Sequence, residues 1–400
     1  MSNGPSSGLA PLRVALAHDY LMERGGAERV LAVFAELFPD APIFTAVYDP
    51  RRTLPQFAAR DIRVSALQRY VSRGVPYRAL FPLYPAAFEQ FTFDGYDVVL
   101  SSTTAFAKGV ITPPETLHVC FCHTPTRFLW QLKQEVSQHV RLVRVALRLF
   151  GPWLRPWDFT AAQRVDRFLA PSQHVAKRIR KFYRREATVI PSPIDAAFFT
   201  PGPAPSADEH TFLIVSRLLP YKRVDLAVET FRRLSTPWRL VVVGSGPLLP
   251  RLRAGAPENV AFLGRVDDLR LRALYRSCRA LVVPGEEDFG LTPLEAQACG
   301  RPVVAYGVGG ARETVLPAQT GELFDEQTPA ALADALRRLA AGRYRPAVAR
   351  AHALRFDKAY FRARVQGFLA AAFDAHCAAQ CDGDLTPLPS LRTWREGATG

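Results

Sequence analysis

Four short apolar runs in the second half of the chain are each followed by a turn and a helix-forming stretch. They are RLVVVG (239–244), VAFLG (260–264), RALVV (279–283) and PVVAY (302–306). Runs without polar alternation suit strands buried on both faces, and strands alternating with helices argue for a parallel sheet covered on two sides. A fifth run, TFLIV at 211–215, opens the series. The first half repeats the theme. RVALAH at 13–18 reads as a strand, and Gly25-Gly26-Ala27-Glu28 opens a helix carrying Val30, Leu31, Phe34, Leu37 and Phe38 at helical spacing. Further strands are expected at 43–48, 62–66, 97–101, 118–122 and 167–171, with Ser172 as N-cap of the helix after the last. The expected fold class is α/β, with two Rossmann-like, doubly wound parallel-sheet domains.

TPGPAPSADEH (200–210) is rich in Pro, Ala and Ser and reads as a linker. It divides a first domain at 12–200 from a second at 211–355, the linker proper being 201–210. Helical patterns return at 328–340 and 360–373, and the tail at 381–400 has no periodicity and is expected to be disordered. With 400 residues, 48% of them apolar, each domain can bury a core. The six cysteines, at 120, 122, 278, 299, 377 and 381, show no metal-type paired spacing. Four of them sit in or beside apolar segments, which favours buried reduced thiols. The first residues lack a signal-peptide pattern and no stretch is apolar enough to span a bilayer. A cytoplasmic protein is expected.

The chemistry concentrates at 284–313. Glu286, Glu287 and Asp288 follow a strand, Gly290 removes a side chain at the turn, and Thr292-Pro293-Leu294-Glu295 reads as a capping box with Thr292 as N-cap. A helix start behind a glycine offers backbone N–H groups to a phosphate. Carboxylates beside such a site are tolerable where they hold neutral hydroxyls, so Glu287 and Glu295 become candidates to grip a sugar. Equally, Glu295 could only close its capping box and Glu287 be solvated. Arg217 and Lys222 stand on one strand-to-helix turn, a natural clamp for a diphosphate. His18 and His123 both fall at strand ends, where ligands of open α/β sheets bind.

The segment EEDFGLTPLEAQACGRPVVA resembles the Glu-x7-Glu motif of retaining glycosyltransferases of family four, with FG, the second Glu, the small-residue helix and G-x-PVVA all in order. Within that family it is most similar to bacterial GDP-mannose-dependent mannosyltransferases of polysaccharide synthesis. The resemblance covers roughly residues 13–315. It implies the GT-B architecture, with the two domains facing across a cleft and a last helix, at 356–380, packing back on the first domain. It implies that Gly25 and Gly26 approach the donor pyrophosphate, that His123 of the HTP triplet lies against the transferred sugar, and that Arg217 and Lys222 belong to the SRL-x-x-x-K motif. Many members carry glycine after that lysine, where this chain has Arg223. The resemblance further places the donor against Gly244, Val266, Phe289, Gly290, Leu291, Glu287 and Glu295, with His18 and Asp19 on the acceptor side. The donor would be a nucleotide-sugar, GDP-mannose by nearest resemblance or a UDP-sugar, and the acceptor a saccharide or lipid-linked saccharide. No Asp-x-Asp pair stands at a strand end, so no metal or other cofactor is expected.

The formal net charge is +14. Between 141 and 185 twelve Arg and Lys face only Asp158 and Asp166, with Trp153 and Trp157 interleaved. This pattern suits an anionic membrane surface, with a plain solvated face as the simpler alternative. Nucleic acid is not expected, since no helix-turn-helix, zinc-finger or RNP pattern is present. A nicotinamide-dependent oxidoreductase would want GxGxxG with an acid about 20 residues on, and neither GGAERV nor GSGPLL provides it. A non-catalytic polyanion binder would explain the charge but not the Arg, Lys and Glu clustered at strand ends.

Overall fold

A computed structural model describes residues 12–131, 141–202 and 208–383, except for the side chains of 141–150 and 381–383. Two all-parallel sheets organise it. The first has the order β3-β2-β1-β4-β5-β6-β7 and is built from β1 (Val14–His18), β2 (Ile43–Thr45), β3 (Ile62–Val64), β4 (Val98–Thr103), β5 (Leu117–Cys122), β6 (Arg167–Ala170) and β7 (Ala187–Val189). The second has the order β10-β9-β8-β11-β12-β13. Its strands are β8 (Thr211–Val215), β9 (Arg239–Val243), β10 (Val260–Gly264), β11 (Ala280–Val283), β12 (Val303–Tyr306) and β13 (Gly321–Phe324). In both sheets the first strand in sequence lies in the middle and the order reverses beside it. That reversal opens a crevice at the carboxyl ends of β1 and β4, and of β8 and β11.

The central strands are buried on both faces, as their unbroken apolar runs require: β1, β4, β5 and β11 expose no residue. Helices cover the faces and start on local signals. Ser172 Oγ accepts from Val175 N, Asp267 from Arg270 N, and Thr328 from Ala331 N with Pro329 behind it. The strand β13 and the helix Pro346–Leu354 had no sequence-based expectation. The last helix, Lys358–Gly383, sets Phe361, Val365, Leu369 and Ala372 into the core of the first domain. There Phe361 packs on Phe34 and Phe121, with ring centroids 5.4 and 5.8 Å apart.

Cys120, Cys122, Cys278 and Cys299 are buried free thiols and Cys377 is half-buried, while the Cys381 side chain lies outside the described residues. Residues 203–207 of the expected linker and 384–400 of the expected disordered tail also lie outside them. The basic stretch 141–185 departs from an unopposed cationic face. Arg164 pairs with Glu89, Arg180 with Glu186, and Arg178 is buried against Asp288 of the second domain. Trp157 is half-buried, donating to Glu89, whereas Trp153 is 75% exposed. Asp158 does not face those cations; it is fully buried with Lys108. The side chains of Arg141, Arg144 and Arg148 lie outside the described residues.

Candidate functional site

The turn after β8 carries Arg217, Tyr221 and Lys222. Glycines let neighbouring turns close on it. A Cβ on Gly244 (φ +133°) would sit 1.9 Å from Ser216 O, and one on Gly285 2.5 Å from Tyr221 O. The turn Gly244-Ser245-Gly246 therefore braces the 216–218 backbone, and Val266 packs half-buried against the core cluster that includes Val243. Lys222 Nζ lies 2.6 Å from both oxygens of Glu287, which β11 delivers from the neighbouring strand end. Arg217 remains about half exposed, its Nη2 bonded to the Tyr221 hydroxyl at 3.0 Å and its Nη1 3.8 Å from Glu23 of the first domain. Burial alone would raise the Tyr221 phenol, but Lys222, Arg217 and Arg127 hold it below its ordinary range. Arg223 follows in the left-handed conformation, φ +50° and ψ +37°. Glycine adopts that geometry without strain, whereas it costs a non-glycine residue about 1–2 kcal/mol.

Glu295 corrects the sequence reading. The helix begins at Leu291, with Gly290 (φ +97°) as N-cap and no side-chain cap, so Thr292 is not the N-cap and Glu295 closes no capping box. A left-handed glycine turns the chain two residues early. Pro293 then stands at the third helical position, whose N–H needs no helical partner. Glu295 is buried instead, accepting from Tyr275 OH at 2.8 Å. Its burial raises its carboxyl despite Arg29 and that hydrogen bond. Phe289 is buried in the second-domain core, and Gly290 and Leu291 line the turn at the helix start.

On the opposing side, Gly25 caps the helix Gly26–Leu37, and Glu28 reaches back to accept from Gly25 N at 2.9 Å. A Cβ on Gly26 would stand 3.2 Å from Leu291 Cδ1, so the two glycine turns meet across the cleft. His123 follows β5 and its Nε2 lies 2.9 Å from Ser102 Oγ. Burial, with His18 adding, lowers His123 to about 3, so its ring is neutral at pH 7. His18 is buried, and its Nδ1–H donates to Ser102 O at 2.9 Å. Asp19, expected on the acceptor side, is 1% exposed and occupied with the loop after β4. It accepts from the Thr103 and Thr104 hydroxyls and from the N–H groups of Thr104, Ala105, Phe106 and Ala107. Burial raises its carboxyl, but His18 and these bonds bring it below its ordinary range. Asp19 shapes the loop and does not present a carboxylate to the cleft.

Sequence reasoning missed the residues that join the domains. Asp288 takes Arg127 at 2.5 Å and Arg178 at 2.6 Å, both from the first domain, while Ser172 Oγ donates to its carbonyl at 2.6 Å. Glu313 accepts from Gln173 N and His174 N, capping a first-domain helix from the second domain. Glu23 accepts from Tyr77 and Arg78 and faces Arg217. The signal available for Asp288 was its place between Glu287 and FG; nothing local marks its distant arginines. Among the described residues, no group of three His, Cys, Asp or Glu is placed to hold a metal ion.

The chain matches the family described as Glycosyltransferase Family 4 over residues 24–198 and the family described as Glycosyl transferases group 1 over residues 209–341. It is 34% identical over 251 residues to a D-inositol 3-phosphate glycosyltransferase of Acidothermus cellulolyticus, covering 54% of this chain and 55% of that protein. It is 30% identical over 222 residues to the D-rhamnosyltransferase WbpZ of Pseudomonas aeruginosa, covering 50% and 56%. The chain thus spans about half the length of the curated relatives it matches. Its fold is similar to that of Anabaena HepE in complex with UDP-glucose, with TM-score 0.67, 20% identity, and 90% and 100% of the two chains covered. It is also similar to sucrose-phosphate synthase from Thermosynechococcus elongatus, with TM-score 0.69, 21% identity, and 91% and 100% covered. The first domain thus carries the match to the family 4 model and the second the match to the group 1 model, and the fold is the GT-B arrangement.

Proposed function

We propose that this two-domain glycosyltransferase moves a mannosyl group from GDP-mannose to a saccharide or lipid-linked saccharide, with retention at the anomeric carbon. The observation that carries the reading is the Lys222–Glu287 pair beside Arg217 at the β8 and β11 ends, facing the glycine turn of the first domain. A nucleotide-sugar brings both phosphates and hydroxyls to that place. Lys222 and Arg217 would take the diphosphate, and Glu287 would exchange the lysine for sugar hydroxyls. As the sugar–phosphate bond breaks, the two cations hold the growing charge on the leaving group. The acceptor hydroxyl attacks from the same face and passes its proton to the departing phosphate oxygen, so no protein nucleophile is needed. His123, neutral, would orient the sugar near the anomeric carbon. The turns at Gly25, Gly26, Gly244, Val266 and 289–291 would approach the donor largely through backbone, and Glu295 would support the helix start from behind.

The D-rhamnosyltransferase relative supports the sugar, since D-rhamnose is 6-deoxymannose. A thermal-shift panel of GDP-mannose, GDP, UDP-glucose and UDP-galactose tests the donor: GDP-mannose should stabilise most at equal concentration. A larger shift with a UDP-sugar would overturn the nucleotide. Arg217 and Lys222 supply the charge that a metal would, so turnover should survive EDTA. Loss of turnover with EDTA and recovery with magnesium or manganese would refute that.

A further inference from the structure

A cavity of about 370 Å³ lies between the domains, beyond the Lys222–Glu287 pair and on the side away from the turns after β9 and β10. Arg127 of the first domain lines it, with Tyr221, Arg223, Glu286, Tyr306 and Gln327 of the second. Its walls come from the carboxyl ends of β8, β11, β12 and β13, the ligand-binding end of such a sheet. The volume falls within the roughly 300–1,000 Å³ of small-molecule sites. Both guanidinium groups are matched in ion pairs, Arg127 with Asp288 and Arg223 with Asp225, and Glu286 lies 3.1 Å from His174 Nε2. A lining of two tyrosines, two carboxamides (Gln131 and Gln327), two guanidinium groups, a carboxylate and Pro220, with little net charge, suits vicinal hydroxyls better than a free anion.

Arg223 gives this cavity the mark of a functional site. Its backbone occupies the left-handed region, where glycine would be unstrained. Its guanidinium is aimed by Gln327, which accepts from Nη1 at 3.0 Å and is itself fixed by donating to Pro284 O at 3.0 Å. Its Nη2 makes no hydrogen bond among the described residues. A strained residue held in place by its surroundings, with a free donor at the rim of a cavity, points to a ligand.

We propose that this cavity is an acceptor subsite, holding a neutral sugar unit next to the one that is glycosylated. The enzyme then uses acceptors of two or more sugar units, and Arg223 and Tyr306 select them. This rests on the glycosyltransferase reading, because the cavity adjoins the donor clamp.

Saturation-transfer NMR of the GDP-loaded protein tests it, with methyl glycosides of mannose, glucose and galactose and their di- and trisaccharides as probes. At least one di- or trisaccharide should bind more tightly than its methyl glycoside. Arg223→Gly should weaken that binding roughly tenfold, the loss of a charged hydrogen-bond donor. Its melting temperature should not fall, since glycine relieves the left-handed strain, and its thermal shift with GDP-mannose should hold. Tyr306→Ala should weaken the same saccharides, and Arg223→Gly alone decides if that variant does not fold. Absence of binding by every di- and trisaccharide, or unchanged binding by Arg223→Gly, would overturn the subsite. Hydrolysis of GDP-mannose by the wild-type protein is read separately, so the subsite can fail while the enzyme assignment stands.

Discussion

Lys222 and Glu287 are in close contact in the cleft, 2.6 Å apart and only 15% exposed on each side. A donor that gives the lysine a phosphate and the carboxylate two hydroxyls replaces one charge-assisted contact by several, so binding need not leave a buried charge unpaired. Lys222→Ala and Arg217→Ala should each lower kcat/KM by a factor on the order of 10²–10³, as for loss of one donor to a leaving oxyanion. Arg217 is half exposed, so its variant should unfold at the wild-type urea concentration. Wild-type turnover in both would refute the clamp. Glu287→Gln should lose activity without loss of fold, whereas Glu295→Gln keeps the hydrogen bond from Tyr275 and should retain most activity. The buried histidines set a pH dependence. Burial lowers His118 and His123 to about 3 and His352 to about 4, against 6.5 when unfolded. The unfolded chain therefore binds more protons in that window, and stability falls as pH drops from 6.5 towards 3. Urea midpoints between pH 7 and 4 should decline accordingly, and a flat profile would contradict neutral burial of these rings.

At the scale of elements, the acidic loop after β11 joins the two domains beside the residues proposed to hold the donor. Asp288 holds Arg127 beside the HTP turn and Arg178 on the helix Gln173–Tyr183, so one carboxylate ties two first-domain elements to the second domain. Asp288→Asn should loosen that tie: the radius of gyration by small-angle scattering should increase, with the melting of each domain little changed. An unchanged radius would show that Ser172, Glu313 and the last helix suffice. Most strands and the helix starts behind Gly25, Ser172 and Thr328 were legible because their causes are local: an apolar run for β8, a serine cap at Ser172, a helical pattern from 328 onward. The start of the helix Leu291–Ala298 was misread because Thr292-Pro293-Leu294-Glu295 carries a good cap pattern, which a positive φ at Gly290 overrides. Glu295 and Asp288 were illegible for another reason. Their partners lie 20, 110 and 161 residues away, and no local pattern announces contacts at that separation. Arg223 was visible only as a departure from glycine; its aim into a cavity depends on Gln327, 104 residues on.

For the whole molecule, the open question is how a chain with net charge +14 meets its acceptor. No helix of the described residues is long and apolar enough to cross a membrane. Internal pairing removes Arg164, Arg178 and Arg180 from the expected basic face, which narrows it to the exposed Arg167, Lys177, Lys181 and Arg184 and to the helix Arg141–Gln163. Trp153 stands out on that helix, 75% exposed where most large apolar side chains are covered. An exposed tryptophan on a domain that also presents exposed cations suits shallow insertion at an anionic lipid surface. A lipid-linked saccharide would be met there, and the first domain would dock. Co-sedimentation with vesicles of phosphatidylglycerol should therefore exceed that with phosphatidylcholine alone, and it should weaken as salt screens the surface. Trp153→Ser should reduce it at every salt concentration, because it removes the inserted ring and leaves the charge. Lys177→Glu with Lys181→Glu should reduce it mainly at low salt. Equal binding to neutral and anionic vesicles, or no effect of either change, would leave this face as ordinary solvated surface and require a soluble acceptor.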